Sequence, residues 1–130
     1  MILVDTHVVV WIAFESSKLS TNARAAVSEA RKSGDGLAVS GITLLELAGL
    51  SGKKHLQLNM SLESFLNEVE ARFVVVPISG RACARTMELP SAYPKDPADR
   101  LIGATALVEG WPLITADSGI RRSEALRTIW

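Results

Sequence analysis

The sequence lacks the features of a secreted or membrane-bound protein. Its 130 residues include one cysteine, Cys83, which excludes an internal disulfide framework and suits a reducing compartment. The start has no basic region followed by a long apolar core, and no apolar run approaches the roughly 20 residues that span a bilayer. We therefore expect a cytoplasmic protein without a membrane partner, in which Cys83 is a buried structural thiol.

Excess charge and aromatic side chains are also missing. The 14 basic and 14 acidic residues cancel, so the overall charge does not indicate a nucleic-acid partner. Aromatic residues make up 5% of the chain, and extensive stacking on nucleobases is therefore not expected. The length and the 48% hydrophobic content predict one domain, residues 1–130, with a core of its own.

Short apolar strands alternate with helices along the chain. Residues 2–4 are large aliphatics without polar alternation, which is typical of a strand covered on both faces. Further strands are expected at 37–40, 73–78, 113–115 and 126–130. The third belongs at an edge, because Pro77 cannot donate to a ladder. This pattern predicts a three-layer α/β/α sandwich around a mostly parallel five-stranded sheet, with the first strand between the second and fourth.

Four carboxylates are predicted to meet at one edge of this sheet. Asp5 follows the first strand and Asp117 follows the fourth. Asp99 lies in the first turn of a helix that Asp96 caps, and Glu46 lies on an apolar helix face. Each has a structural alternative when taken alone, as a cap, a turn residue or a paired charge. Because parallel strands end at the same edge, we expect the four to form a site there.

Carboxylates gathered in this way repel one another unless some are protonated or a cation binds. Oxygen ligands without a histidine or cysteine cluster favour Mg²⁺ or Mn²⁺ and disfavour zinc. Such a metal activates water and neutralises charge in phosphoryl chemistry. His7 and His55 are single histidines, which we expect to be packing and surface residues.

Four segments in order resemble PIN-domain proteins, most closely the VapC-type toxins of toxin-antitoxin pairs. They are MILVDTHVVVW at 1–11, VSGITLLEL at 39–47, DPADRLIGATAL at 96–107 and LITAD at 113–117. The resemblance implies a PIN-like domain and a metal-dependent endoribonuclease that is usually a homodimer and is inhibited by a small antitoxin protein. It implies an acidic site of Asp5, Glu46, Asp99 and Asp117, assisted by the hydroxyl groups of Thr6, Thr115 and Ser118.

Basic residues beside the acidic segments are candidates for binding RNA phosphates. They are Lys53, Lys54, Lys95, Arg100, Arg121 and Arg122. Glycines at 41 and 103 leave room for another chain or helix to approach closely.

Two other functions fit parts of the sequence. A Mg²⁺-dependent phosphatase or phosphotransfer enzyme would normally carry a second acidic residue two positions after Asp5, where this chain has His7. A non-catalytic PIN-like module could use its apolar helices, 42–50 and 61–71, as an interface. Retention of all four carboxylates counts against that module, because it would not need them.

Overall fold

The apolar runs form a five-stranded sheet in the computed structural model, which describes residues 1–53 and 56–130. The strands are β1 (Ile2–Val4), β2 (Leu37–Ser40), β3 (Val74–Val76), β4 (Leu113–Ile114) and β5 (Thr128–Ile129). Their order is β3-β2-β1-β4-β5, and every pairing is parallel. The predicted central place of β1 and edge place of β3 are confirmed. The sheet is more uniformly parallel than expected, and β5 is shorter.

Helices connect the strands, and most begin at a side-chain cap. They are α1 (Thr6–Phe14), α2 (Thr21–Ser33), α3 (Gly41–Gly52), α4 (Leu62–Arg72), α5 (Gly80–Thr86), α6 (Pro97–Glu109) and α7 (Ser118–Ser123). Ser61 and Asp96 accept backbone N–H groups at the starts of α4 and α6, as their sequence positions predict. None of the helices in the described ranges is long and apolar enough to span a membrane.

Two apolar cores lie on opposite faces of the sheet. Val4, Val39 and Ile114 face the core built with α1, α2 and α4. The alternate residues, including Leu3 and Leu113, face a second core built with α6 and α7. This alternation follows from the two-residue period of a strand. The three-layer prediction is therefore confirmed, and the carboxyl ends of β1 and β4 meet at one edge of the sheet.

Cys83 is exposed, so the prediction that it is buried was wrong. It lies on α5, where the neighbouring Ala82 takes the inward position and is 2% exposed. Successive residues on a helix point about 100° apart, so the residue after an inward alanine on this short helix faces solvent. Composition alone favoured burial of the thiol, but the facing of α5 decides the outcome.

Gly103 leaves space for the side chain of Tyr93, which lies in a loop of the same chain. The sequence had predicted that another chain or helix approaches there. A methyl group at this position would lie 2.6 Å from Cζ of Tyr93. The Tyr93 hydroxyl donates to the Asp99 carbonyl oxygen at 2.9 Å. At Gly41 the nearest atom is likewise from the same chain, the Val76 carbonyl oxygen at 3.5 Å. Gly103 therefore makes room for the Tyr93 ring, and the Tyr93 hydroxyl joins the loop to the first turn of α6.

The Gly103→Ala substitution should lower the free energy of unfolding by about 1–3 kcal/mol, because the new methyl group overlaps Tyr93. Gly49→Ala is the matched control, since Gly49 is also inside a helix but has open space around it. Alanine should stabilise that helix by about 0.5–1 kcal/mol. Urea unfolding of both variants measures the difference, and equal midpoints would contradict the contact with Tyr93.

Candidate active site

Asp5 is the most buried of the four predicted acidic site residues. It is 2% exposed and directly follows β1. Its backbone N–H donates to the Ile114 carbonyl oxygen at 3.0 Å, which continues the pairing of β1 with β4. One carboxylate oxygen accepts from the Thr6 N–H at 2.8 Å and caps α1. The other accepts from the Thr115 hydroxyl at 2.7 Å. The capping role and the site position therefore coexist in one residue.

A pair of threonines connects Asp5 to Glu46. The Thr6 hydroxyl donates to Oε1 of Glu46 at 2.6 Å, and it lies 3.0 Å from the hydroxyl of Thr43. Glu46 is partly buried on α3, on the side that faces α1. A carboxylate on an apolar helix face needs a hydrogen-bond partner, and the Thr6 hydroxyl is that partner for Glu46. A hydroxyl group can satisfy a carboxylate without neutralising its charge.

Asp117 is connected to Asp5 through the hydroxyl group of Thr115. Its backbone N–H donates to the Thr115 hydroxyl oxygen at 3.1 Å, and the same hydroxyl donates to Asp5. Oδ1 of Asp117 caps α7 by accepting from the Ile120 N–H at 2.9 Å. The Thr115 hydroxyl therefore contacts both Asp5 and the backbone of Asp117. Ser118 is the first residue of α7 and is exposed.

A cleft of about 360 Å³ opens beside these carboxylates. Three elements supply its acidic wall: Asp5 at the end of β1, Glu46 on α3 and Asp99 in the first turn of α6. His7 and Lys53 line it as well. Asp117 is not among the described lining residues and acts on the cleft through its charge. The cleft is therefore acidic, with a cationic side chain at its wall.

The carboxylates disturb one another's ionisation. Burial and the neighbouring negative charges together raise the pKa of Asp99 from an ordinary 3.8 to about 7, and burial is the largest cause. Those charges, in decreasing order of effect, are Asp5, Asp96, Glu46 and Asp117. Asp99 therefore exchanges its proton near neutral pH, which indicates a concentration of negative charge that a cation would relieve.

Glu46 is perturbed in the same direction. Burial raises its pKa, the hydrogen bond from Thr6 partly offsets this, and the charges of Asp5 and Asp96 raise it further. Asp96 was assigned a structural role from the sequence, and its side chain does accept from the Ala98 N–H at 2.8 Å. Its charge nevertheless reaches the cleft, so it adds to the negative potential there.

The donor set fits a hydrated divalent cation. Among the described residues, no three His, Cys, Asp or Glu side chains lie close enough together to bind a metal on their own. Mg²⁺ usually takes only one or two carboxylates and keeps several waters, so it does not need three protein ligands. The oxygen-only chemistry and the raised pKa values of Glu46 and Asp99 both favour such a cation.

The basic residues predicted to bind RNA have different positions. Lys53 lines the cleft, whereas Lys95, Arg121 and Arg122 lie on exposed surface. Lys54 and His55 lie outside the described residues.

Arg100 has a structural role in the fold. Its guanidinium donates to the Pro94 carbonyl oxygen at 3.2 Å and to that of Thr86 at 3.0 Å. It therefore holds the loop before α6, and two of its donor groups are already used within the chain. A phosphate would have to compete for this guanidinium, which makes it a weaker candidate than the sequence suggested.

Sequence reasoning did not single out Thr43 or Tyr93, and it gave His7 a packing role only. Thr43 precedes Glu46 by three positions on α3, a spacing that places both on one helix face and could have been noticed. Tyr93 is 1% exposed although it lies in a loop, and no local signal indicates this. His7 was expected to be a packing residue, but it both packs and lines the cleft: its Nε2 accepts from the Ala116 N–H at 3.3 Å.

The chain belongs to the PIN domain family, whose model matches residues 2–126. The fold and the acidic cleft agree with this class.

Among individual proteins, it is similar to Ribonuclease VapC22 of Mycobacterium tuberculosis (strain ATCC 25618 / H37Rv), with 38% identity over 131 residues, 99% of this chain and 98% of the relative. Two solved structures share the fold. One is VapBC2 from Rickettsia felis bound to a DNA fragment from its promoter, with a TM-score of 0.72, 20% identity and coverage of 98% and 97% of the two chains. The other is a toxin-antitoxin complex from Klebsiella pneumoniae, with a TM-score of 0.63, 22% identity and coverage of 92% and 89%.

The stability of the metal-free protein should fall as pH rises from about 4 to about 7. The pKa of Asp99 is raised in the folded protein, so in this window the folded state binds more protons than the unfolded state and loses stability with rising pH. Asp99→Asn should reduce that slope and be the more stable protein at about pH 8. Urea unfolding in a chelator measures this, with Glu109→Gln, an exposed site at the far end of α6, as control. An unchanged slope in Asp99→Asn would contradict the assignment.

Proposed function

We propose that this protein is a metal-dependent endoribonuclease that hydrolyses RNA phosphodiester bonds and acts as the toxin of a toxin-antitoxin pair. The observation that carries the proposal is the acidic cleft, in which Asp5, Glu46 and Asp99 come together from three elements. Membership of the PIN domain family and the similarity to a ribonuclease support the choice of RNA as substrate.

Nucleases of this family generally depend on a divalent metal, and we propose Mg²⁺ or Mn²⁺ here. Asp5, Glu46 and Asp99 would hold it, directly or through water, with Asp117 adding charge from beside the cleft. When bound, such an ion neutralises charge on the phosphate and activates a water molecule. The chain's own part is to orient the carboxylates, because the Thr6 hydroxyl donates to Glu46 and the Thr115 hydroxyl donates to Asp5.

The threonine hydroxyls act as positioning groups in this proposal. Each donates to one carboxylate, so each fixes a carboxylate oxygen without adding a positive charge that would compete with a metal. Thr115 also accepts the Asp117 N–H, which couples the loop after β4 to Asp5. A displaced hydroxyl would therefore disturb two carboxylates at once.

The biological setting follows from the relatives. The structures that share this fold include toxin-antitoxin complexes, and we propose that a small cognate antitoxin protein binds this chain, which acts in the cytoplasm as a homodimer. A short reading frame for such a partner directly upstream of the gene would support this. Co-purification of the two products with loss of nuclease activity is the direct test.

The phosphatase alternative has no support at the position that would distinguish it. His7 stands where such an enzyme would carry its second acidic residue, and its Nε2 holds the Ala116 backbone. A non-catalytic module would not require the partly buried charges of Glu46 and Asp99, which destabilise the metal-free fold above their pKa values.

Asp5→Asn should reduce RNA cleavage at least about 100-fold in Mg²⁺ or Mn²⁺, because it removes a metal-binding charge from the cleft. The fold should persist, since asparagine can still accept the Thr6 N–H and can donate to the Thr115 hydroxyl. Asp35→Asn is the matched control: Asp35 is exposed and lies at the opposite edge of the sheet, just before β2. Its cleavage rate should equal that of the wild type.

Chelation by EDTA should stop cleavage by the wild type, and added Mg²⁺ or Mn²⁺ should restore it. Full cleavage in EDTA together with an active Asp5→Asn protein would overturn the proposed function.

Lys53→Gln should weaken RNA binding and lower its salt dependence, because Lys53 is the described basic residue that lines the cleft. Loss of one phosphate contact on a single strand should reduce the slope of log K against log salt by about 0.7. Lys32→Gln, in the last turn of α2 at the opposite sheet edge, is the control and should keep the wild-type slope. An unchanged slope in Lys53→Gln would exclude Lys53 from phosphate binding.

A further inference from the structure

We propose that His7, Trp11 and Trp130 form an aromatic row that binds a nucleobase of a single-stranded RNA whose phosphodiester lies in the acidic cleft. This inference rests on the proposed function and adds to it a binding site for a base. Sequence composition predicted that base stacking is not extensive, and the structure places a small number of rings where a single base can use them.

The row begins at the cleft itself. His7 is a lining residue of the cleft, and Trp11 follows it one helical turn later on α1. Trp130 comes directly after β5, and because all strands are parallel, it lies at the same sheet edge as Asp5 and Asp117. A strand of RNA that leaves the cleft on this side therefore meets the rings at once.

The Trp11 ring contacts both of the other rings. The centroids of His7 and Trp11 are 5.0 Å apart with the ring planes at 67°, and those of Trp11 and Trp130 are 5.6 Å apart at 49°. The His7 ring is also fixed from its other side, because Nε2 accepts from the Ala116 N–H. These contacts hold the rings in place before any ligand arrives, which lowers the entropy lost on binding.

Their exposure separates these rings from the aromatic residues of the core. Phe65, Phe73 and Tyr93 are 4%, 7% and 1% exposed. The side chain of His7 is 38% exposed, and both tryptophans are partly exposed although they touch the core that includes Val8 and Val9. The three rings therefore combine packing contacts with partial exposure to solvent, which leaves surface for a base to contact.

A cation completes the surface. The Lys18 ammonium group lies 5.9 Å from the centroid of the Trp11 ring. Proteins that bind single-stranded nucleic acids combine positive charge for the backbone with aromatic faces for the bases, and such stacking tolerates any base because every base has a π-face. Lys18 also pairs with the Glu15 carboxylate, so a phosphate would share this cation with Glu15, while the three rings supply the aromatic faces.

The test measures binding without cleavage, using full-length protein that carries Asp5→Asn. Its tryptophan fluorescence is titrated with a 12-nucleotide oligo(A) RNA and with a 12-unit ribose-phosphate RNA that has no bases. Oligo(A) should quench the fluorescence and bind at least about tenfold more tightly than the abasic strand. Adding Trp130→Ala should remove most of this preference and leave binding of the abasic strand unchanged. Adding His7→Ala should also remove most of the preference.

Two controls separate stacking from stability. Trp130→Phe keeps an aromatic face and should keep most of the preference for oligo(A). Trp111→Phe changes a tryptophan that packs against the core on the other side of the sheet and should keep it fully. If Trp130→Ala does not fold, as judged by circular dichroism, His7→Ala decides the outcome alone.

Equal affinity for oligo(A) and the abasic strand, or a preference that survives in a folded Trp130→Ala or His7→Ala protein, would overturn the inference. The proposed function fails separately, through an absence of metal-dependent cleavage by the protein that retains Asp5. Cleavage without base preference would therefore contradict only the proposed aromatic site. Base preference without cleavage would contradict only the proposed nuclease activity.

Discussion

The hydrogen bond from the Thr115 hydroxyl to Asp5 is the contact on which the rest of the site depends. It joins the carboxyl ends of two neighbouring strands, β1 and β4, and the same hydroxyl accepts the backbone N–H of Asp117. A buried carboxylate without such partners would cost several kcal/mol, and hydrogen bonds to a charged group return about 1.5–3 kcal/mol each. These hydrogen bonds allow the buried carboxylate of Asp5 to lie at the carboxyl end of the central strand, β1.

The cleft concentrates negative charge in a chain whose formal net charge is zero. The hydroxyl groups of Thr6 and Thr115 donate to the carboxylates of Glu46 and Asp5, and Nδ1 of His7 lies 3.7 Å from Oδ2 of Asp5. Burial, followed by the charges of the neighbouring carboxylates, raises the pKa of Asp99. A site of this kind gives up stability in the metal-free protein to gain affinity for a cation, a trade that functional sites commonly make.

Local signals predicted much of the architecture and part of the site. Aliphatic runs and capping residues such as Ser61 and Asp96 act over a few residues, so the sequence alone indicated the elements and the order of the central strands. The facing of Cys83 and the burial of Tyr93 depend on contacts that form only in the folded chain, and both were missed or mistaken. The nearness of Asp5 to Asp117 could be predicted because parallel strands end at the same edge, whereas the Thr6–Thr43–Glu46 network required knowing how α1 packs against α3.

The distance along the chain between Asp5 and Thr115 has a consequence during protein synthesis. The two residues are 110 positions apart, and the strand that brings them together is the fourth of five. A nascent chain that has passed the exit tunnel only as far as α5 contains Asp5 and Glu46 but lacks Asp99, β4 and Thr115, which follows β4. Contacts of such high sequence separation form late, so the ribosome releases nearly the whole domain before an acidic cleft exists.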